Sequence, residues 1–571
     1  MRLLAHVMER EQTALELPLS ALQQAEIAFP RRGEDLEYVF KHVTMREVAY
    51  NTLVQKRRQE LHLRTAAAIA ALYPSDEYVE IVAYHYGKTE AHAEAAEWLE
   101  KAGDRAAGIY ATQTAIANYQ ESRKRQEQIG GAPTVLARLD EKLGEAFVAM
   151  GRSDEAIPVL ERSVEIYRES RDLEGAGRSA AILSRALSSS GSPQEGLSRV
   201  EPLVELLTWS GPSPALASLH LALSRIFQFL GKYEDMLSAA EKAAEISEAI
   251  GDERLLAASM ERRGCALSFL GRNVEARPVL EEAVGLLERV GDLGSLIVAM
   301  CNLGESYRQL GQMKEASHHN QRGLETAERV GNLSMVAFQL TNLGEIFSIL
   351  GEWEEARDYL GRAEEVLEAL PSASNSDHYV PALRGKVLLA MGQWQEAEAE
   401  LLRALALPGS QEDRQAFEIL NISLAELELL RGEPEAAVVR LEPLAGREGG
   451  FQVLIETTLA WALLGAGENS RAEDLATDTV ARGRAQGEVL VLTDALRVQG
   501  MILTRRGKAD EAAPILAEAL ELARSLPYPY AEARILSEMG RQQEALEIFR
   551  RLGAMKDIES MEKSREQPAT A

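Results

Sequence analysis

Residues Asp292–Gly331 read DLGSLIVAMCNLGESYRQLGQMKEASHHNQRGLETAERVG. Leu296, Met300, Leu303, Tyr307 and Leu310 recur at spacings of three and four, which puts them on one stripe of a helix. Gly311 closes that helix, because glycine takes the left-handed conformation of a C-terminal cap without a steric cost. A second helix follows from MKEA onward and ends at Gly331, and Asn332 is placed to cap the next one. The stretch is therefore a helix, a glycine turn and a second helix.

The same turn phrase runs along most of the chain. It reads GRSDEA at Gly151, GSPQEG at Gly191, GKYEDM at Gly231, GRNVEA at Gly271 and GQMKEA at Gly311. GEWEEA at Gly351, GQWQEA at Gly392, GEPEAA at Gly432, GENSRA at Gly467, GKADEA at Gly507 and GRQQEA at Gly540 continue it. The first five steps are each 40 residues, and the rest are 41, 40, 35, 40 and 33. A degenerate copy, YATQTA, starts at Tyr110, so about twelve units are expected. Gly304, Gly344, Gly385 and Gly500 stand seven before a turn glycine, and Ala276, Ala316, Ala356, Ala397, Ala512 and Ala545 stand five after one. Small residues at these two places let paired helices approach closely.

This pattern resembles the tetratricopeptide repeat, whose small, aromatic, turn and apolar positions are matched by Gly344, Phe347, Gly351, Ala356, Leu360 and Ala363. The usual period is about 34 residues, so 40 implies helices longer by about one turn each. The implied fold is all-α: a right-handed α-solenoid of about twelve antiparallel helix pairs behind a short helical N-terminal cap. Expected boundaries are 1–92 for the N-terminal segment, 93–370 for regular repeats, 371–556 for less regular ones and 557–571 for a mobile tail beginning near Glu562. Polar interruptions at Leu370–Pro381, near Pro408, near Gly449 and near Pro527 mark irregular joints, the first of which should shorten the helix after it. Pro158, Pro278 and Pro514, each seven after a turn glycine, predict second helices that start late or kink.

The first ninety residues do not carry the period. Phe40, His42, Arg46, Glu47, Ala49, Tyr50, Arg57, Arg58, Leu61 and His62 form a phrase that resembles the winged-helix-like segment of bacterial signalling ATPases of the STAND or AAA type. In such proteins this segment lies between the ATPase and a tetratricopeptide array, and a cyclase, kinase or DNA-binding effector often accompanies them. A phosphate-cradling GxxxxGK[ST] loop is missing; the nearest approach is Gly87-Lys88-Thr89, with Val82 where the first glycine belongs. The aromatic and histidine positions of the phrase read as packing of the cap.

Composition narrows the function classes. Sixty-two Lys and Arg against 89 Asp and Glu give a net charge of −27 over 571 residues, unsuited to general nucleic-acid binding. Two cysteines, Cys265 and Cys301, exclude a disulfide-built scaffold and paired-cysteine zinc sites. No long apolar run suggests a membrane span, and the charged N-terminus does not read as a secretory signal, so a cytoplasmic setting is expected. His318-His319 point about 100° apart on a helix and read as a solvated face, and His85 and His92 lack a completing carboxylate. No catalytic motif, metal site or cofactor is expected, and the chain reads as a non-enzyme.

The resemblance implies where a ligand would sit: first-helix residues 13, 10, 9, 6, 3 and 2 before the turn glycine line a concave groove. Those offsets select Arg138, Lys142 and Glu145; Arg178 and Arg185; Arg225, Gln228 and Phe229; Glu261, Arg262, Ser268 and Phe269. They continue with Cys301, Asn302, Glu305, Arg308 and Gln309; Phe338, Thr341, Asn342, Glu345 and Ser348; then Tyr379 and Lys386. An acidic chain thus gathers basic residues on one face, suited to gripping carboxylates, with Asn302 and Asn342 able to hold a peptide backbone. The expected partner is a protein or peptide, possibly acidic, in signalling or transcriptional control, with no direct nucleic acid and no membrane. The alternative is the downstream regulatory half of an ATPase-coupled enzyme such as a nucleotide cyclase.

Overall fold

The computed structural model describes residues 1–32, 36–370, 378–407, 410, 413–447 and 451–566. By contacts the chain forms two compact units, Met1–Leu207 and Thr208–Ala571.

The first unit opens with α1 (Arg2–Met8) and α2 (Gln12–Gln24), then an antiparallel hairpin of β1 (Ala28–Arg32) and β2 (Leu36–Phe40), with Ala28 opposite Phe40. This hairpin interrupts the otherwise helical cap. α3 (Val43–Thr52), α4 (Gln55–Leu72) and α5 (Val79–Gly87) follow. The paired helices then begin: α6 (His92–Gly108), α7 (Thr112–Gln128), α8 (Pro133–Ala149), α9 (Ser153–Glu169), α10 (Leu173–Ser189) and α11 (Pro193–Ser210), the last crossing the division. Of Phe40, His42, Tyr50 and His62, only His62 is buried, so the phrase is not the packed core its composition suggests. Gly87-Lys88-Thr89 closes α5, and the Thr89 hydroxyl donates to the Tyr86 carbonyl at 2.7 Å rather than edging a phosphate loop.

The second unit holds α12 (Pro214–Phe229), α13 (Tyr233–Ile250), α14 (Glu253–Phe269), α15 (Asn273–Val290), α16 (Leu293–Gln309), α17 (Met313–Val330), α18 (Leu333–Ile349) and α19 (Trp353–Glu368). It continues with α20 (Tyr379–Met391), α21 (Trp394–Ala406), α22 (Arg414–Arg431), α23 (Pro434–Leu441), α24 (Gln452–Gly465) and α25 (Asn469–Gln486). α26 (Val489–Arg505), α27 (Ala509–Ser525), α28 (Pro529–Glu538), α29 (Gln542–Leu552) and α30 (Met555–Glu566) complete it. Within each unit the helices pack as successive pairs, α6–α7 and α8–α9 in the first and α12–α13 through α28–α29 in the second, the packing of an all-α solenoid.

The sequence determinants of one pair are visible in its packing. Gly344 lies against Leu360, whose Cγ would stand 2.8 Å from an added Cβ, and Gly385 lies against Leu401 in the same way at 2.7 Å. Ala276, Ala316, Ala356, Ala397 and Ala545 are fully buried where the second helix meets the first. Asp252, Asp292 and Asn332 each accept a backbone N–H two or three residues on, capping α14, α16 and α18. Helices of 17 and 18 residues in α14 and α15 account for the long period.

Three expectations are corrected. α9, α15 and α27 begin two residues after their turn glycines, with Pro158, Pro278 and Pro514 as sixth residues, so their starts are not delayed. α30 continues helically through Glu566, past the point near Glu562 where order was expected to fade. His319 does not lie on a solvated face: its ring stacks on Tyr307 with centroids 5.4 Å apart, while His318 is exposed. α20 has 13 residues, shortened as the preceding polar segment suggests. Residues 371–377, 448–450 and most of the segment near Pro408 lie outside the described residues, as does the end of the chain beyond Glu566. Among the described residues, no helix is long and apolar enough to cross a membrane.

Candidate functional site

In the first unit the groove candidates form a ladder of ion pairs from one repeat to the one before it. Arg138 donates twice to Glu100 at 2.9 Å, and Lys142 reaches both Glu100 and Asp104 at 2.7 Å. Arg178 meets Glu141 at 3.0 Å. Against the burial that would raise it, the two cations hold the Glu100 carboxyl below its usual range. Arg185 is half-buried and Glu145 is exposed. The basic charge of this face is thus matched by acid from the neighbouring helix, which leaves little uncompensated positive field.

The second unit repeats the ladder with different chemistry. Arg262, only 4% exposed, donates to Gln228 at 2.6 Å. Asn302 donates to Glu261 at 2.6 Å, and Asn342 to Cys301 Sγ and to Asn320 Oδ1, both at 3.2 Å. Asn302 and Asn342 therefore use their amides to join consecutive first helices. Arg308 forms ion pairs with Glu305 at 2.6 Å and Glu345 at 3.3 Å. Although burial opposes it, the paired carboxylates raise the Arg308 pKa. Phe269 stacks on Tyr233 with centroids 5.0 Å apart, Phe229 is exposed, and Arg225 is half-buried and has partners of its own.

Within this unit the coil closes on itself. The turn glycine Gly311 abuts Leu526 and Val489, Gly351 abuts Leu552 and Pro529, and Gly392 abuts the backbone of Lys556. Met313, Ala316, Ile346 and Ile349 share one buried cluster with Leu490 and Leu526. Trp353 meets Tyr530 edge to face at 5.8 Å. Early turns thus rest on the ends and starts of helices far later in the chain. Such contacts join first-helix inner faces that the linear sequence keeps far apart.

The result is a second, more buried group of charged and aromatic side chains on first helices. Arg534 on α28 donates to Glu426 on α22 at 2.6 Å, and both Arg534 and Arg497 lie over the Trp461 ring, with their guanidinium carbons 5.0 and 5.2 Å from its centroid. Arg534 also lies 5.6 Å from the Tyr530 centroid. Asp494 stands 3.8 Å from the Arg497 Nε. Against burial, the charge of Arg534 holds Glu426 below the usual carboxylate range. Burial raises Asp494 even with Arg497 and Arg534 opposing it. Lys386 is exposed and adds a third cation, its field acting on Glu426 and Asp494. Tyr379 belongs to a neighbouring group, donating to Asp413 at 3.0 Å beside the buried His378.

Glu426, Trp461, Asp494, Arg497 and Arg534 were not among the sequence candidates. Yet Glu426, Trp461 and Arg534 stand six before the turn glycines Gly432, Gly467 and Gly540, and Asp494 and Arg497 stand thirteen and ten before Gly507. The offsets that selected Arg138, Glu261 and Lys386, thirteen, ten and six, reach them as well. The turn phrases at Gly432, Gly467, Gly507 and Gly540 supply that signal in spite of their uneven spacing.

The model of the MalT-like TPR region matches residues 222–531, and a tetratricopeptide-repeat model matches 141–174. No curated protein matches the chain. Among solved structures, the chain is similar to a STAND protein with a tetratricopeptide repeat sensor from Pyrococcus horikoshii, at TM-score 0.46 and 15% identity, covering 75% of this chain and 62% of that one. It is also similar to a Rap protein complexed with competence and sporulation factor, at TM-score 0.43 and 11% identity, covering 69% and 99%. The apo form of the quorum sensor NprR from B. thuringiensis gives TM-score 0.40 and 12% identity, covering 70% and 99%. The chain thus spans less than two thirds of the STAND protein's length.

Proposed function

The chain belongs to the family of MalT-like TPR regions, and on that footing we propose that it is a non-enzymatic interaction module of a signalling or regulatory system. Its second unit holds a protein or peptide segment against the inner face of its first helices. The observation that carries this reading is the convergence of Lys386, Glu426, Trp461, Asp494, Arg497 and Arg534 from α20, α22, α24, α26 and α28. These are polar and aromatic side chains on the inner face of a rigid array, where the apolar core has no need of them. An aromatic ring flanked by cations, with carboxylates beside them, supplies stacking, hydrogen bonding and charge for a polypeptide. Stacked repeats present such faces as extended concave surfaces.

The test uses peptides selected by display against the full chain. A photoreactive benzoylphenylalanine is placed either at Lys386, on the inner face, or at Val439, which is 75% exposed on a second helix. Crosslinking of the selected peptides at Lys386 in preference to Val439 is the expected result. Equal yields at the two positions, or a preference for Val439, would sink the inner-face reading.

A further inference from the structure

Arg497 is the odd member of the inner group. It is 4% exposed, yet among the described residues its guanidinium makes no hydrogen bond. Its Nε is sealed from solvent and unpartnered, and Asp494 at 3.8 Å is beyond hydrogen-bond reach. The two terminal nitrogens carry the side chain's residual exposure. Arg534 lies across the same Trp461 ring and repels Arg497, and Glu426 is already bonded to Arg534 at 2.6 Å. Other buried arginines in the chain do find an acceptor: Arg308 finds Glu305 and Arg262 finds Gln228.

A guanidinium has five donors and no acceptor, and leaving such a group buried without hydrogen bonds costs more than burying an apolar side chain of the same size. Removing water from this charge is a penalty that the protein's own acceptors do not offset. The terminal nitrogens form a planar fork whose spacing matches the two oxygens of a carboxylate. Around it, Arg534 adds positive field while Asp494, Glu538 and Glu426 add negative field, and the Trp461 face holds the Arg497 fork in place.

We propose that Arg497 is the anchor for a carboxylate of the ligand, received by its terminal nitrogens on the inner face of the second unit. This rests on the inner-face reading above and sharpens it: the bound segment presents an acidic group to α26. The carboxylate can come from an aspartate or glutamate side chain, from a peptide C-terminus or from a small free dicarboxylate. All three offer the same two oxygens.

The experiment compares the full chain with R497M, a substitution that keeps an unbranched apolar stem and removes the charge. Thermal unfolding is followed with no addition, and with glutarate, N-acetyl-Ala-Glu-Ala amide or N-acetyl-Ala-Ala-Ala free acid, each matched in ionic strength by chloride. Without ligand, R497M should melt at the same temperature as the parent or higher, because the variant is relieved of an uncompensated buried charge. Melting clearly below the parent would make Arg497 a structural residue and overturn the proposal. At least one carboxylate probe should raise the parent's midpoint above chloride, and R497M should bind that probe about tenfold more weakly or worse. Which of the three acts identifies the source of the carboxylate. An equal rise in both proteins, or no rise in either, overturns the proposal. Neither outcome touches the crosslinking result at Lys386, so failure of the anchor and failure of the inner-face reading are separable.

Discussion

Arg534 and Glu426 are 108 residues apart in sequence and joined by a 2.6 Å hydrogen-bonded ion pair between α28 and α22. Their side chains are 13% and 22% exposed, so the pair is largely withdrawn from solvent. Removing one partner from such a pair costs far more than removing an exposed one, because the survivor is left charged and unpaired. Glu426→Ala should therefore lower unfolding stability by about 3 kcal/mol, measured in urea. Adding Arg534→Met to it should restore part of the loss. A loss under about 1 kcal/mol would mean that water reaches the pair freely.

The turn glycines separate backbone strain from packing. Gly291 has φ +71° with nothing near a potential Cβ, so Gly291→Ala should cost about 1–2 kcal/mol for the left-handed conformation alone. Gly311 has nearly the same φ, +75°, but a Cβ there would overlap Leu526 Cδ2 and crowd Val489. Gly311→Ala should be measurably worse than Gly291→Ala in the same denaturation assay. Equal costs would show that the contact between early turns and late helices is loose.

Glu488 sets a pH dependence. Burial, reinforced by the charge of Glu305 and opposed by Arg308, pushes its carboxyl up to about 7. The folded state holds this proton more tightly than the unfolded chain, so the group's penalty grows as pH rises from about 4.5 to 7 and is complete above that. Glu488→Gln should raise stability at pH 8 by up to about 3 kcal/mol and change it little at pH 4. A benefit that is equal at both pH values would rule out the raised carboxyl.

Cys265 and Cys301 are both buried, and burial pushes their thiols up to about 11 and about 12. Thiolate is the reactive form, so neither should react with a disulfide reagent in the native protein at pH 8. Both should react after unfolding. Reaction of one equivalent in native buffer would contradict the burial of these thiols in α14 and α16.

Arg138 and Arg178 are about half-exposed and paired with glutamates. Replacing either by alanine should change stability by less than about 1 kcal/mol. A larger loss in thermal or chemical unfolding would mean that the inter-repeat ladder of the first unit holds that unit together.

Much of the fold could be read from local chemistry. Gly311, Leu303 and Asn332 each act within a few residues of themselves, so the helix, its end and the next cap are encoded next to one another. The inner-face ladder was accessible in part for the same reason: Asn302 and Glu261 sit in adjacent repeats, at offsets that a fixed period reveals. Glu426 and Arg534 each stand at a legible offset, but their pairing was not accessible, because it depends on how far each pair rotates relative to the last, accumulated over several repeats. Arg308 illustrates the remaining gap. Its position on the inner face follows from spacing, but whether it greets a ligand or Glu305 and Glu345 is decided by which acids the neighbouring helices bring within 4 Å.

In a solenoid whose repeats touch only their neighbours, unfolding can start at either end and proceed one repeat at a time, like a zip. The seating of Gly311 on Leu526 and of Gly351 on Leu552 removes that freedom from the second unit. To release α16 the chain must also give up contacts with the start of α26 and the end of α27, and to release α18 those with α28 and α29, so fraying at the C-terminal end is resisted by helices near the middle. This part of the protein should lose its structure in one concerted event, and a deletion of a single repeat between Gly351 and Gly507 would misalign every later contact rather than shorten the array by one step.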